Sequence, residues 1–554
     1  MPTVDAYRRA PLANPAFVPF PDGSIYAGGL HHALTEQALS FSDISAMTPL
    51  DAVLASKLGG YNDLPPVPNV VAAATELRED PRGFLLLARA ALIVATATQD
   101  KDALMRLITA VRIFGEDLPA LSEDQLLPLG ADALRLTSDL YRRTGVPFLL
   151  TLMEQLRARL PDVSGLMHSF PFTTPYQPSN TSGMNEDDAL YHRRMEQFAT
   201  GHLMADALAM TAYLALYSGS GRDAAAGKAG LSALLRYHGA PTGAFTADPF
   251  LAGRDPARAT DLPALCAQIE ALSDLLAASG DLSFADQLEQ LLFSALPDLF
   301  SSAGIRPLQP ANRLSDDDSC VSVKPEPQDT SALLRALYAL RRSIWMAKEN
   351  DEIALLLPVD SGCLTRVDGI PVRITANVVG IAEKTLTLSI ETPKPVSFAL
   401  HLRVPSHVST AALSVNGGKE QTVVPGKMPG IRRTFHNGDT LTLRMTSLPR
   451  TEAGYRGSVS VLCGSHLMAL PLPDTDAGWQ FALLADSALT AEEDDGRLCV
   501  LATATDAPNW QSKDGFIAPP PQGLTAGVEY QLTLLPFAQT DGRIAQFPCA
   551  SRKA

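Results

Sequence analysis

Residues 371–405 read PVRITANVVGIAEKTLTLSIETPKPVSFALHLRVP. Within them, KTLTLSIE from Lys384 and SFALHLRVP from Ser397 alternate apolar and polar side chains, the period of a strand with one buried face. DTLTLRM from Asp439 and VEYQLTLLPF from Val528 repeat the pattern, and Asn-Gly pairs at Asn416 and Asn437 supply hairpin turns. From about Lys348 onward the chain therefore reads as antiparallel β-structure, most simply one or two sandwiches.

Upstream the period is 3.6. Between about Val70 and Met346 the stretches LARAALIVATA, DALMRLITAVRIF, LLTLMEQLRARL and FADQLEQLLFSAL carry apolar residues at helical spacing. Three segments, starting at Leu140, Leu216 and Leu276, each read helix, short Ser/Thr/Gly turn, second helix. Their separations of 76 and 60 residues are too uneven for a regular solenoid. The pattern by itself fits both a closed ring of helical hairpins and an irregular helical domain.

The 554 residues, 46% hydrophobic and 19% charged, suffice for several cores. A formal charge of -15 excludes nucleic acid and anionic membrane as main partners, since both require clustered Lys and Arg. The most apolar run, FLLLARAALIVATA from Phe84, is interrupted by Arg89 and is short for a membrane span, and no apolar run follows the arginines at the N-terminus. We therefore expect a soluble cytoplasmic protein. Six cysteines, Cys266, Cys320, Cys363, Cys463, Cys499 and Cys549, lack CxxC or CxxH spacing and read as reduced thiols. GxSxG, Walker, Rossmann and HExxH motifs are absent.

A more specific signal lies in the order of several segments. Residues 371–405, then AALSVNGG, RRTFHNGDTLTLRM and YRGSVSVLCGSHLMALPL, resemble the β-domain of the bacterial β-L-arabinofuranosidases, glycoside hydrolase family 127. The tail, APNWQSKDGFIAPPPQ followed by VEYQLTLLPFAQTDGRIAQFP, is similar to that family's ending. In the helical half, GHLMADALAMTAYLALYSGSG and RYHGAPTGAFTADPFLAG through SGDLSFADQLEQLLFSALPDLF resemble its inner-helix segments. The resemblance implies an (α/α)6 barrel over residues 1–347 with an N-terminal arm, a β-sandwich over 348–450, and a second sandwich or a continuation of the first over 451–554. It also implies a retaining glycosidase whose nucleophile is a zinc-bound cysteine thiolate.

The family pattern asks for Glu-x-Cys at a helix start, a downstream Cys-Cys pair and a separate acid/base glutamate. Counting back from Gly280-Asp281, the Glu falls on Asp261 and its Cys on Pro263. The acid/base segment reads TGAFTADPF, with Gly243 or Pro249 at the expected places and Asp248 as the nearby carboxylate. The Cys-Cys pair corresponds to the single Cys320. No cofactor is expected, because zinc binding would need both Cys320 and Cys266 as ligands.

Each candidate has a plainer reading. Asp248 is a catalytic acid or base, or a turn-former before Pro249. Asp261 is its partner carboxylate, or the N-cap of the helix LPALCAQIEAL. His202 matches a family histidine facing the sugar, or starts a helix bonded to backbone. Tyr191, Glu186, Asp187 and Cys320 are further binding candidates, and the runs Asn185–Asp188 and Asp316–Asp318 border a barrel mouth or are solvated loops. Trp345, Trp479 and Trp510 are few for a stacking surface, and Trp345 reads as core. The functional expectation is a glycoside hydrolase-like protein acting on a small glycan or glycoside with altered catalytic residues. The alternative is a silent carbohydrate-binding or assembly module.

Overall fold

A computed structural model describes residues 15–20, 24–42, 47–59, 69–75, 80–301, 304–314, 322–348, 352–472, 478–494, 496–513 and 516–552. Leaving aside one-turn pieces, the helices are α1 (Gly29–Ser40), α2 (Pro49–Gly59), α3 (Val70–Thr75), α4 (Pro81–Thr98), α5 (Lys101–Asp117), α6 (Gly130–Thr144) and α7 (Phe148–Arg159). They continue as α8 (Val163–Ser169), α9 (Glu186–Ala199), α10 (Gly201–Ser218), α11 (Gly221–His238), α12 (Leu262–Ser279), α13 (Leu282–Gln290) and α14 (Pro327–Ile344). Six of these pack in a closed circuit: α2 on α4, α4 on α6, α6 on α10, α10 on α12, α12 on α14, and α14 back on α2.

The three recurrent segments mark where a helix of this circuit hands over to its outer neighbour. Gly145, Gly219 and Gly280 end α6, α10 and α12 at φ of 64°, 61° and 72°, a left-handed conformation that glycine adopts without a Cβ clash. Gln99 makes the same turn after α4 at φ 56°. Of the circuit's helices, α10 and α12 are apolar on nearly all sides, as expected for elements covered by both an outer helix and the opposite wall. Among α10 residues, thirteen of eighteen are buried.

After α14 the chain enters β-structure at Trp345–Lys348, and Trp345 is fully buried with its indole N–H donating to Ser361 Oγ at 2.9 Å. A five-stranded sheet runs in the order 18–19, 345–348, 352–355, 396–402, 430–435. A seven-stranded sheet runs 421–423, 410–415, 440–446, 383–391, 370–379, 361–367, 25–27. Leu386, Leu388 and Ile390 from KTLTLSIE face inward with Phe398, Leu400 and Phe435, in one apolar cluster that continues into the helical circuit. Asn416-Gly417 turns with both φ positive, 51° and 65°, within the longer loop between the paired strands 410–415 and 421–423. Asn437-Gly438, by contrast, makes no hairpin, because it joins 430–435 of one sheet to 440–446 of the other.

Three details depart from the sequence reading. The strand 396–402 pairs parallel to 352–355, and 549–551 lies parallel to 481–484 and 524–525, so the β-structure is mixed. Alternation of side chains is the same for either direction, so it carries no sign of this. The arm contributes strands: Val18–Pro19 pairs with 346–347, and Ile25–Ala27 with 361–363. Beyond Pro449 the chain forms a single ten-stranded sheet over its own core, which includes Trp479 and Trp510 in edge-to-face contact at 5.0 Å.

Buried ion pairs join helices to sheets. Lys384 reaches Glu289 of α13 at 3.3 Å, Arg403 pairs with Glu289 and Asp286, and Arg543 grips Asp298 through two bonds of 2.6 and 2.8 Å. Arg403, Glu289, Arg543 and Asp298 have fully buried side chains.

Candidate functional site

Single charged residues embedded in the apolar helices converge inside the circuit. Arg89 of α4 meets Asp132 of α6 at 2.6 Å and Glu270 of α12 at 3.6 Å. Arg135 of α6 meets Asp132 at 2.9 Å, Glu270 at 3.5 Å and Asp274 at 2.6 Å, and the Tyr213 hydroxyl of α10 donates to Asp274 at 2.8 Å. Arg335 of α14 lies 3.6 Å from Glu270 and 3.9 Å from Asp132. Three guanidiniums thus balance three carboxylates.

Asp206 of α10 is the surplus carboxyl. Burial, then the Asp132 and Glu270 charges, push it up to about 7 against the opposing pull of Arg335 and Arg135. Burial also pushes Asp132 up, but Arg89, Arg135 and Arg335 outweigh it and leave that group at about 2. His202 stands one helical turn before Asp206 on the same face of α10. Its ring is open to solvent and makes no hydrogen bond among the described residues. Surrounding protein, then the charges of Arg82 and Arg335, lower its pKa.

Where α10 and α12 begin, the two chains touch. A Cβ at Gly201 would lie 2.5 Å from Ala264 Cβ and 2.7 Å from Ala247 Cβ, so only glycine fits, and it would lie 3.6 Å from Asp261 Oδ1. Asp261 accepts the Ala264 N–H at 2.8 Å as the N-cap of α12, with Pro263 in the first turn. Burial, joined by the Asp248 charge, pushes the Asp261 carboxyl up to about 7 despite that hydrogen bond. Asp248 is therefore brought near Asp261, since Ala247 bridges to Thr260 through its backbone. Its own carboxylate pairs with Arg258 and accepts the Ala259 N–H at 3.3 Å.

Arg89, Arg135, Tyr213, Glu270, Asp274 and Arg335 line a cavity of about 80 Å³ together with residues at the far ends of α6, α10, α12 and α14 such as Arg142, Leu216, Ala278 and Arg342. Pro15, Phe17 and Pro19 cover it, with the Phe17 N–H donating to Ala277 O at 3.0 Å. One end of the circuit is thereby closed, and Asp261, His202 and Asp206 lie toward the other.

Residues 352–447 match the family model described as the β-L-arabinofuranosidase GH127 middle domain. Over that segment the chain is similar to the GH127 family. Its fold extends that likeness over the whole length. A solved glycoside hydrolase superposes with TM-score 0.70 at 14% identity, covering 98% of this chain and 99% of the other. A GH127 β-L-arabinofuranosidase from Geobacillus stearothermophilus T6 gives 0.63 at 17% identity over 95% and 94%, and another GH127 β-arabinofuranosidase gives 0.57 at 13% over 98% and 100%. No curated protein matches.

The GH127 resemblance implies a zinc-thiolate centre, and the described donors do not fit one. Cys266 is 1% exposed in the apolar core, where burial and then Glu270 push its thiol far above the ordinary range. Pro263 has no donor side chain, and among the described residues no three His, Cys, Asp or Glu side chains form a group suited to a metal ion. Cys320 and Asp316–Asp318 lie outside the described residues.

The remaining candidates of the sequence reading are exposed at the surface. Glu186, Asp187 and Tyr191 are exposed on α9, Tyr191 at 56%, and Asn185 caps that helix by accepting the Asp188 N–H at 2.9 Å. Arg194 of the same helix pairs with Glu123. What the sequence reading missed is the set Asp206, Glu270, Asp274, Arg135 and Arg335. Its available signal was the isolated charge inside an apolar helix, as in LMADALAM and LLRALYAL.

Proposed function

We propose that the protein is a glycosidase-like, carbohydrate-active protein acting on a small glycan or glycoside, with carboxyl groups doing the work that a zinc-bound thiolate does in the resemblance. We read the closed circuit as an (α/α)6 barrel, residues 348–450 as a sandwich and the following residues as a further β-unit. The observation that carries the proposal is the pair of carboxyls held near neutrality, Asp261 at the start of α12 and Asp206 inside α10, with His202 beside them.

A glycosidic bond breaks when its leaving oxygen is protonated while a second carboxylate attacks the sugar or activates water. A carboxyl titrating near neutral pH is able to hold the required proton. Asp261 lies against α10 at Gly201, and Asp206 follows on the same helix about one and a half turns further along. Asp248 neighbours Asp261 and raises its pKa, which supports the earlier pairing of these two in the reaction. Arg335 and Arg82 beside His202 would receive sugar hydroxyls. The described cysteines are all free thiols, consistent with a cytoplasmic setting.

The test is a screen of aryl arabinofuranosides and other aryl glycosides with wild type, Asp206→Asn, Asp261→Asn, Asp248→Asn and Cys320→Ala. Loss of turnover on at least one Asn change, with Cys320→Ala active, is the expected result. Turnover untouched by all three Asn changes and abolished by Cys320→Ala would sink the carboxylate mechanism. One observation favours the second reading, a silent sugar-binding module: Asp248 is tied to Arg258 and Asp261 is a helix cap, so both have structural work. Sugar binding without turnover on any substrate would establish it.

A further inference from the structure

A cleft of about 160 Å³ lies outside the helical circuit, where α13 and the loop after α11 meet the ten-stranded sheet. Gln287 and Gln290, one turn apart on α13, form one wall. Arg254 comes from the loop between α11 and α12, and Glu452, Ser460 and Gln546 come from the sheet side. Two glycines keep the walls close. A Cβ at Gly454 would strike Gln546 Nε2 at 1.9 Å, and one at Gly243, whose φ is +87°, would press Gln290 Cδ at 3.0 Å.

Three polar atoms from three different elements on this cleft lack a hydrogen-bond partner among the described residues: Arg254 Nε, Gln287 Oε1 and Ser460 Oγ. Ser460 is only 2% exposed. The other polar groups are engaged: Gln290 Nε2 donates to Pro241 O at 3.0 Å, Gln546 Nε2 to Ser458 Oγ at 2.6 Å, and Arg254 Nη2 to Ala453 O at 3.1 Å. Buried polar atoms left alone are costly, so three side chains that carry such atoms and line one cleft point to an occupant that draws them toward it.

We propose that this seam cleft is an accessory binding site for one neutral sugar residue. The three unmet atoms are a donor, an acceptor and a hydroxyl able to act as either, which is the set that adjacent sugar hydroxyls complement. The charges on the lining, Arg254 and Glu452, balance, which favours a neutral ligand over an anion or cation. Arg254 also lines a neighbouring open groove with Tyr176, Tyr237, Phe250 and Tyr455, so a glycan held in the cleft runs onto aromatic faces suited to stacking. The site rests on the carbohydrate reading of the protein but not on catalysis, because its residues are distinct from Asp206, Asp261 and His202.

The test uses the full chain with L-arabinose, D-galactose and D-glucose as probes, by crystal soaking and by calorimetric titration. A sugar ring in the cleft, with affinity weakened about fivefold to tenfold by Ser460→Ala or Gln287→Met and unchanged by Asp206→Asn, is the expected result. Soaked wild-type crystals showing only water in the cleft would overturn it, and so would binding that Asp206→Asn removes while both cleft variants retain it. Failure of the glycosidase proposal would instead appear as sugar in the cleft with no turnover in the hydrolysis screen. The wild-type soak decides the matter even if a cleft variant does not fold.

Discussion

The interior of the helical circuit and the core under the ten-stranded sheet are built on opposite principles. The first gathers Arg89, Arg135, Arg335, Asp132, Glu270 and Asp274, whereas the second is formed by Val461, Trp479, Trp510, Leu534 and Phe547. Apolar packing of equal volume is usually at least as stabilising as buried ion pairs, because taking charges out of water offsets their attraction. The core under the sheet is apolar, and its buried ion pair, Arg543 with Asp298, lies at the seam with the helices. The lumen retains charge at a cost, and this is why we place chemistry there.

Breaking the lumen should have the largest effect. Asp274→Ala removes the two-bond carboxylate partner of Arg135 and the acceptor of the Tyr213 hydroxyl, leaving Arg135 only Asp132 and Glu270, and should lower stability by about 3–5 kcal/mol in urea unfolding. A loss below about 1 kcal/mol would show that water compensates the lumen, and the contrast with the sheet would fail. Leu534→Ala, in the sheet core, should cost about 3 kcal/mol through an empty cavity, with the same value at pH 5 and pH 8.

Asp206 sharpens the contrast through pH. Its folded pKa of about 7 lies above its ordinary 3.8, so between these values the folded chain holds a proton the unfolded chain has released. Stability from this group is therefore full below about pH 4 and declines as pH rises through 7. Asp206→Asn should match wild type near pH 4 and exceed it by several kcal/mol at pH 8, about 1.4 kcal/mol for each unit the carboxyl is raised, read as melting temperature across a pH series. An unchanged pH slope would remove Asp206 from the set of perturbed carboxyls. The smallest effect belongs to the cap: at pH 5, Asp261→Ala should cost about 1 kcal/mol and Asp261→Asn under about 0.5, since Asn still accepts the Ala264 N–H.

The same division governs what was legible in the sequence. KTLTLSIE, Asn416-Gly417 and the Gly-containing turns at Gly145, Gly219 and Gly280 each encode their element within a few residues, so the period change and the helical hairpins could be read directly. Gln99 performs the same turn without the glycine that marks the others, and the corresponding hairpin was invisible. The cap at Asp261 was readable from Asp-Leu-Pro. The network of Arg89, Asp132, Glu270 and Arg335 was not, because its members lie on four helices far apart in the chain and an isolated charge in an apolar helix does not name its partners. Only closure of the circuit turns them inward together.

The N-terminal strap has a further consequence, for synthesis. Val18–Pro19 and Ile25–Ala27 pair with residues 346–347 and 361–363, and α2 completes the circuit against α14. On a ribosome these segments must wait for their strand partners until residues 346–363 have emerged. Contacts of such long sequence separation close slowly. The nascent helices expose apolar faces through that interval, and the final clasp of start to middle is what commits the chain to its finished form.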